Sequence, residues 1–172
     1  MGETLQLLVE MNTLLLRRFK RVLTELHPDE IDWRPLPQAN NMNVIVRHLR
    51  LEAEWHLDCL EHGAPMPNEI TQEDQRRINS VGLDFDRNLR ELEELYARFV
   101  AQLGKMTPAE LKKQSALAYR GFGDELPAHM LGYHQAIHLA GHMAQISTLR
   151  NLYRKTRGEA ARFFPDNPTY PK

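Results

Sequence analysis

Four long segments of the chain repeat their apolar residues every three or four positions, the spacing of one face of an α-helix. No stretch shows the strict alternation of apolar and polar residues that is typical of a series of half-buried strands. The pattern therefore predicts an all-α protein. The first segment spans residues 4–26, and its apolar positions are Leu5, Leu8, Met11, Leu15, Phe19, Val22 and Leu26.

The other three segments are bounded by helix-start and helix-stop signals. The second begins near the candidate N-caps Asn41–Asn43 and continues to about Glu61. The third is predicted from about Thr71 to Leu103, and the fourth from about Leu126 to Lys155. Four amphipathic helices of similar length predict a four-helix bundle. The apolar positions of the third segment are Ile78, Val81, Phe85, Leu89, Leu92, Leu95 and Phe99.

The length and composition are those of one globular domain. The chain has 172 residues, 42% of them apolar, so we treat 1–172 as a single domain with 157–172 as a C-terminal tail. Its 22 basic and 23 acidic residues are interleaved, which argues against nucleic-acid and anionic-lipid partners. No stretch approaches the ~20 apolar residues of a membrane span. The single cysteine, Cys59, fits a reducing compartment, so we expect a cytoplasmic protein.

Two short segments, one after the first helix and one after the third, resemble each other. "LHPDEIDW" and "MTPAELKK" both contain proline, one intervening residue, glutamate and an aliphatic residue. We interpret both as short capping turns that begin the path to the next helix. Whether they reflect a true structural repeat stays open at this point.

Three histidines lie four residues apart in "YHQAIHLAGHMAQ". Helical side chains at i and i+4 project from nearly the same face, ~6 Å apart along the axis, which suits two imidazoles on one ion. His134 and His142 are two such steps apart, ~12 Å, so at most two of the three histidines can share a metal. We favour His138 and His142. Seven-residue steps from Leu131 to Leu152 place His138 on the inward seam, and the small residues of "HLAGH" leave space for an ion.

The second helix offers a third ligand. His48 interrupts an apolar stripe formed by Val44, Leu51 and Trp55. Without a metal, an apolar interior would have to satisfy three buried imidazoles with hydrogen bonds, which is harder. The two patterns together predict a three-histidine metal site.

The remaining histidines are predicted to lie outside this site. His56 looks peripheral because it falls one position after the stripe, and His27 and His62 are interpreted as surface residues at helix ends. His129 has no partner that the sequence indicates. His134 is expected at the rim, in contact with the ligands rather than with the ion.

These motifs carry a resemblance to a known family. "TELHPDEIDWRP", "NNMNVIVRHLRLEAEW" and "HLAGHMAQI" follow one another as in the DinB-like (DinB/YfiT-like) superfamily of bacterial metal-dependent enzymes, which the chain resembles over most of its length. On the matching positions, the family's three ligands fall on His48, His138 and His142. The family usually has glycine before the final glutamine, where this chain has Ala144. The resemblance implies an up-down-down-up bundle, a long crossover between helices 2 and 3, and a homodimer.

A three-histidine site suggests catalysis. Three neutral imidazoles leave a divalent ion its +2 charge and at least one open position, as in catalytic rather than structural sites. The ion would activate water, giving a hydrolase, or a low-molecular-weight thiol for transfer to a small-molecule substrate. The resemblance favours the thiol-dependent S-transferase. Zinc or nickel is expected first, with iron or manganese also open.

Other residues have expected roles around the ion. Glu52, one helical turn after His48, is the candidate general base or acceptor for an imidazole, and Gln145 is a candidate for fixing an imidazole tautomer. Tyr119 and Arg120 are candidates for the mouth of the site, and Cys59 for the core. The rival hypotheses are a non-catalytic metal- or ligand-binding protein of the stress response, and a structural bundle without metal. An open coordination position beside a substrate-sized pocket would favour the enzyme.

Overall fold

The structure is a computed structural model that describes residues 2–62, 72–73, 76, 80–112 and 128–162. Within these ranges the chain is helical and contains no strand, which confirms the all-α four-helix bundle. The helices are α1 (Glu3–Val22), α2 (Pro28–Asp32), α3 (Met42–His62), α4 (Phe85–Lys105), α5 (Pro108–Lys112) and α6 (Ala128–Thr156).

The four long helices form a closed ring. Helix α1 packs against α4 and α6, and α3 packs against the same two helices, so that α1 and α3 face each other across a diagonal. The interior contains large apolar side chains from all four helices, including Phe19, Leu49, Leu92 and Ile146, each at most 1% exposed. Burial of this apolar surface supplies the main driving force for assembly.

Contacts between residues give the helix directions. Asn12 bonds to the Gly132 carbonyl near the start of α6, and Arg150 near its end bonds to the Val22 carbonyl, so α1 and α6 run parallel. Helices α3 and α4 are also parallel, because the pairs Arg50–Glu91 and Glu61–Arg98 follow one another along both helices. Up-down-down-up order requires these directions. Much of the connection between α3 and α4 lies outside the described residues, so the full connectivity stays a prediction.

The third long helix differs from its predicted span. Residues 81–84 are not helical, and α4 begins at Phe85, where the Asp84 carboxylate accepts a hydrogen bond from the Arg87 amide at 2.9 Å. The prediction of one continuous helix from Thr71 is therefore wrong. Apolar spacing continues through Val81, but an N-cap aspartate starts a new helix where its own backbone is extended. Ile78 lies outside the described residues.

The two proline-glutamate segments form five-residue helices with the same cap. At the start of α2, the His27 amide donates to the Glu30 carboxylate, and the His27 imidazole accepts from the Asp29 amide. At the start of α5, Thr107 and Glu110 exchange the equivalent bonds, at 2.7 and 3.2 Å. Both helices cover an end of a long helix, as capping turns do.

A buried arginine joins α6 to the segment after α1. Arg150 is 1% exposed, bonds to the Glu30 carboxylate at 2.6 Å, and donates to the carbonyls of Val22, Thr24 and Glu25. The last carbonyls of a helix have no partner within it, so a buried cation there satisfies them and complements the dipole. Helix α1 thus ends at Val22, four residues before the predicted Leu26.

Candidate metal centre

Three imidazoles converge where α3 passes α6. The Nε2 atom of His138 lies 3.0 Å from Nε2 of His48 and 3.1 Å from Nε2 of His142. One nitrogen from each ring lies within 4.8 Å of the others, which makes this a group that can hold a metal ion. His138 and His142 lie one turn apart on α6, and both face the single histidine of α3. The structure thus brings together the three histidines chosen from the sequence.

The spacing of the three nitrogens fits one ion. Tetrahedral ligands at ~2.0–2.1 Å from a metal stand about 3.4 Å apart, close to the two Nε2 separations measured here. Without an ion the arrangement is poorly satisfied, because the His138 Nε2 atom can form a good hydrogen bond to only one of its two neighbours. A cation would accept the lone pairs of all three nitrogens at once.

Burial keeps two of the three imidazoles neutral. Burial, reinforced by the neighbouring His142, lowers the pKa of His48 to about 4. Burial and the surrounding histidines lower the pKa of His138 to about 2. Metal ligation requires deprotonated nitrogens, so neither ring needs to lose a proton at neutral pH before binding.

Gln145 orients one of the three imidazoles. The His142 Nδ1–H donates to the Gln145 side-chain oxygen at 2.8 Å, which leaves the His142 Nε2 atom for the centre of the group. Metal-bound histidines ordinarily donate their second nitrogen to such an acceptor, which fixes the tautomer and the ring plane. The buried His138 Nδ1 has no hydrogen-bond partner among the described residues.

A second pair of histidines adjoins the group. The His56 Nε2 lies 2.8 Å from the His134 Nδ1, and the His134 ring stacks on the His138 ring at 5.7 Å between centroids. The sequence-based interpretation of His56 as peripheral is wrong: its side chain is fully buried and donates from Nδ1 to the Glu52 carbonyl. Apolar spacing predicts a stripe on α3 through His48, whereas the buried face runs through Leu49, Glu52 and His56. His134 lies beside the ligand group, as expected, and outside the group of three.

Glu52 is a buried acid without a full set of partners. It is 8% exposed, its Oε2 atom has no hydrogen-bond partner among the described residues, and the nearest imidazole nitrogen, His56 Nδ1, is 3.9 Å away. Burial raises the pKa of this carboxyl to about 7. A carboxyl that titrates near neutrality can exchange a proton with a reacting group.

The two histidines of the group that lie on α6, His138 and His142, are at the edge of its buried face, not at its centre. Leu131 is buried, but Gln145 is exposed and Leu152 is 39% exposed, so the seven-residue seam turns outward along the helix. A side chain added at Gly141, the neighbour of His142 in the chain, would meet no atom of the described residues within 4 Å. Gln145, which bonds to His142, also lines a groove of about 510 Å³ together with Ile45.

The remaining candidates are placed as follows. His27 is 44% exposed in its side chain, as predicted, and also caps α2 and bonds to Tyr153. His62 is exposed, and the His129 Nδ1 donates to the Leu111 carbonyl at 3.1 Å. Cys59 is buried, as a core residue is, and burial raises the pKa of its thiol to about 12. Tyr119 and Arg120 lie outside the described residues.

Comparison with known proteins identifies the family. A family model described as the DinB superfamily matches residues 13–146, which include the three histidines. The chain belongs to the DinB superfamily. No curated protein matches the sequence.

Two solved structures share the fold. YfiT from Bacillus subtilis, described as a probable metal-dependent hydrolase with an unusual four-helix bundle topology, has a TM-score of 0.68 at 16% identity and covers 93% of this chain and 91% of its own. A protein from Exiguobacterium sibiricum, described as a candidate member of the DinB family, has a TM-score of 0.65 at 16% identity and covers 89% and 93%. At this identity the likeness concerns the fold.

Among the described residues, no helix is both long enough and apolar enough to cross a bilayer.

Proposed function

We propose that this protein binds a divalent transition metal through His48, His138 and His142 and acts as a metal-dependent enzyme. The observation that carries the proposal is the convergence of three Nε2 atoms, with that of His138 at 3.0 and 3.1 Å from those of His48 and His142. Zinc or nickel is our first candidate, with iron or manganese next, because imidazole suits several of these ions.

A hydrolytic reaction fits this site best. Three neutral imidazoles would leave a bound divalent ion its full charge and an open position, and such an ion would polarise a substrate carbonyl or lower the pKa of bound water to about 7. The open space at Gly141 and the adjoining groove give a substrate access to that side. The fold relative YfiT, described as a probable metal-dependent hydrolase, supports the same reaction class.

The chain's own residues take separate tasks in this proposal. Gln145 holds the His142 ring with its Nε2 towards the ion, and His134 packs against the His138 ring and limits its rotation. Glu52 acts as the general base and takes up a proton, because burial raises the pKa of its carboxyl to about 7.

A low-molecular-weight thiol is the second candidate nucleophile. A +2 ion stabilises a thiolate as it does hydroxide, so the same centre suits an S-transferase. The thiol would have to come from solution, because Cys59 is buried and its pKa is raised to about 12. A homodimeric state and a cytoplasmic location also belong to this proposal, the first from the family resemblance and the second from the single cysteine. Light scattering of the purified protein tests the dimer.

Elemental analysis tests the metal site. The purified protein is reconstituted with zinc, nickel, iron or manganese, dialysed, and analysed beside the variants His48→Ala, His138→Ala and His142→Ala. We expect about one ion per chain in the wild type and a large loss in each variant. The control His62→Ala removes an exposed histidine and should change nothing. A wild type that holds no metal, or a loss in His134→Ala without a loss in His142→Ala, contradicts the assignment.

A pair of assays then separates the classes of function. The loaded protein is incubated with neutral aryl esters, and with an electrophile plus a low-molecular-weight thiol. Ester turnover that disappears in His138→Ala supports the hydrolase, and thiol-dependent turnover supports the S-transferase. Tight metal binding with neither activity favours the non-catalytic metal-binding protein.

A further inference from the structure

The groove that Gln145 lines has only uncharged side chains among its described lining residues. It holds about 510 Å³ between α6, the start of α3 and the segment before it. The wall residues that matter here are the apolar Ile45, Leu149 and Leu152 and the polar Asn40, Gln145 and Thr148.

Gln145 lines the groove and also bonds to His142 of the three-histidine group. Its side-chain oxygen accepts from the His142 Nδ1–H, and a histidine that binds a metal through Nε2 must carry its proton on Nδ1. Ligation therefore fixes which end of the amide faces His142. The NH₂ end makes no hydrogen bond among the described residues, so its two donors are left for a ligand in the groove.

Two other residues of the groove wall, Thr148 and Leu152, also suit a ligand that has both a polar and an apolar part. The Thr148 hydroxyl donates to the Ala144 carbonyl of its own helix at 3.0 Å, so that its oxygen is left to accept. Leu152 is 39% exposed at the outer end, where a ligand with an apolar body would cover it. Pockets for small molecules combine mostly apolar walls with a few placed polar groups, as this groove does.

We propose that the groove binds an uncharged, largely apolar part of the substrate, and that the Gln145 amide donates a hydrogen bond to a carbonyl-type oxygen in it. This inference rests on the proposed metal-dependent function, since the reacting group would occupy the open position of the ion. It deepens that function by naming the substrate class: a neutral acyl compound or amide with an apolar tail, rather than an anionic or cationic metabolite.

Binding of hydroxamates tests the groove without requiring catalysis. Acetohydroxamic acid and octanohydroxamic acid share a zinc-binding head, and the second adds a neutral apolar tail. Calorimetry on the zinc-loaded protein should show binding of both, with octanohydroxamic acid tighter by at least about ten-fold, because each buried methylene adds affinity. Equal affinity overturns the groove proposal and leaves the metal site standing. Failure of both to bind zinc-loaded protein instead overturns the open position on which the proposed function depends.

Variants locate the effect. Leu152→Asp and Thr148→Asp place a charge in the groove, and each should reduce the preference for the octanoyl tail to about two-fold or less while acetohydroxamic acid binds as before. Unchanged acetohydroxamic acid binding and zinc content also show that the variants fold. Leu7→Asp is the matched control, because Leu7 is 63% exposed on α1 and far along the chain from the groove residues. A preference that survives both groove variants places the tail elsewhere and overturns the proposal.

A second comparison isolates the Gln145 amide. Three hydroxamates carry an amide carbonyl two, three or four carbons from the head, and each is compared with its all-methylene analogue. One member should bind the wild type about five-fold better than its analogue, the worth of one hydrogen bond. Gln145→Glu keeps an acceptor for His142 but loses both donors, so it should retain zinc and lose this preference. A preference absent from the wild type, or retained by Gln145→Glu, contradicts the assigned role of the amide.

Discussion

At the scale of single residues, the site depends on which nitrogen each imidazole directs inward. His48, His138 and His142 all present Nε2, and the Nδ1 atom of His142 is committed to Gln145. His56 shows the opposite use of the same side chain, because its Nδ1–H donates to a backbone carbonyl and its Nε2 meets His134. Identical residues thus divide into three that face one point and two that pack beside them.

The buried carboxyl of Glu52 should make stability depend on pH. Its pKa is about 7 in the folded protein against an ordinary 4.5, so the folded state binds this proton more tightly. The resulting stabilisation is complete below about pH 4.5 and is lost as the pH rises through 7. For the metal-free protein, we expect Glu52→Gln to raise the free energy of unfolding at pH 8 by roughly 2 kcal/mol, and by much less at pH 5.

Urea denaturation at the two pH values measures this difference. Glu94→Gln, on an exposed position of α4, serves as control and should leave the pH dependence unchanged. Histidines that stay neutral on folding destabilise the protein in acid, but this effect is common to both proteins and cancels in the comparison. A gain from Glu52→Gln that is equal at pH 5 and pH 8 would show that the carboxyl is not the source.

At the scale of the elements, caps decide where helices begin. Apolar spacing alone predicts one helix from Thr71 to Leu103, but Asp84 starts α4 at Phe85. Asn41, by contrast, was recognised as a candidate cap, and its side chain does accept from the Val44 amide at 2.9 Å. Apolar spacing predicts which face of a helix is buried. It does not predict a break in the helix when the apolar spacing continues across that break.

Removal of the Asp84 side chain should destabilise α4. Asp84→Ala leaves the Arg87 amide without its acceptor, and the loss of an N-cap costs about 1 kcal/mol. Asp86→Ala is a close control, because Asp86 lies in the same first turn and has the same favourable position near the helix N-terminus without acting as the cap. Chemical denaturation should therefore show a clearly larger loss for Asp84→Ala. Equal losses would mean that only the charge near the helix end matters.

The Arg150–Glu30 pair should be the most sensitive link between elements. Both side chains are nearly fully buried, and Arg150 also holds three carbonyls at the end of α1. Arg150→Met leaves the Glu30 charge buried and unpaired, so we expect a loss of about 3–5 kcal/mol.

The double variant Arg150→Met with Glu30→Gln should recover part of this loss, because no buried charge remains. Lys20→Met breaks the exposed pair with Glu93 and should cost less than about 1 kcal/mol, which makes it the surface control. If the double variant is as unstable as Arg150→Met, the carbonyl contacts rather than the ion pair carry the stabilisation.

At the scale of the whole molecule, the sequence predicts which helices form and which three histidines come together, but not how far each helix rotates about its axis. The pairing of His48 with His138 and His142 could be inferred because both patterns are local. The burial of His56 could not, since a rotation of α3 by one residue decides whether His48 or His56 lies deeper. The buried role of Arg150 could not be predicted for a related reason: a single basic residue in a helix gives no local indication that it donates hydrogen bonds to carbonyls far away in the chain.

The site also connects the two halves of the bundle, so metal binding should stabilise the whole fold. Two of the proposed ligands come from α6 and one from α3, so the ion would bind only when these helices are packed. Zinc at 100 times its dissociation constant adds about 2.7 kcal/mol, which for a chain of this size raises the melting temperature by about 5–10 °C. Scanning calorimetry should show this shift in the wild type and in His62→Ala, and its absence in His48→Ala and His138→Ala. A shift in His138→Ala equal to that of the wild type would place the bound zinc at another site. A metal-binding wild type without any shift would mean that the ion binds the unfolded chain equally well, and that the three histidines are not preorganised by the fold.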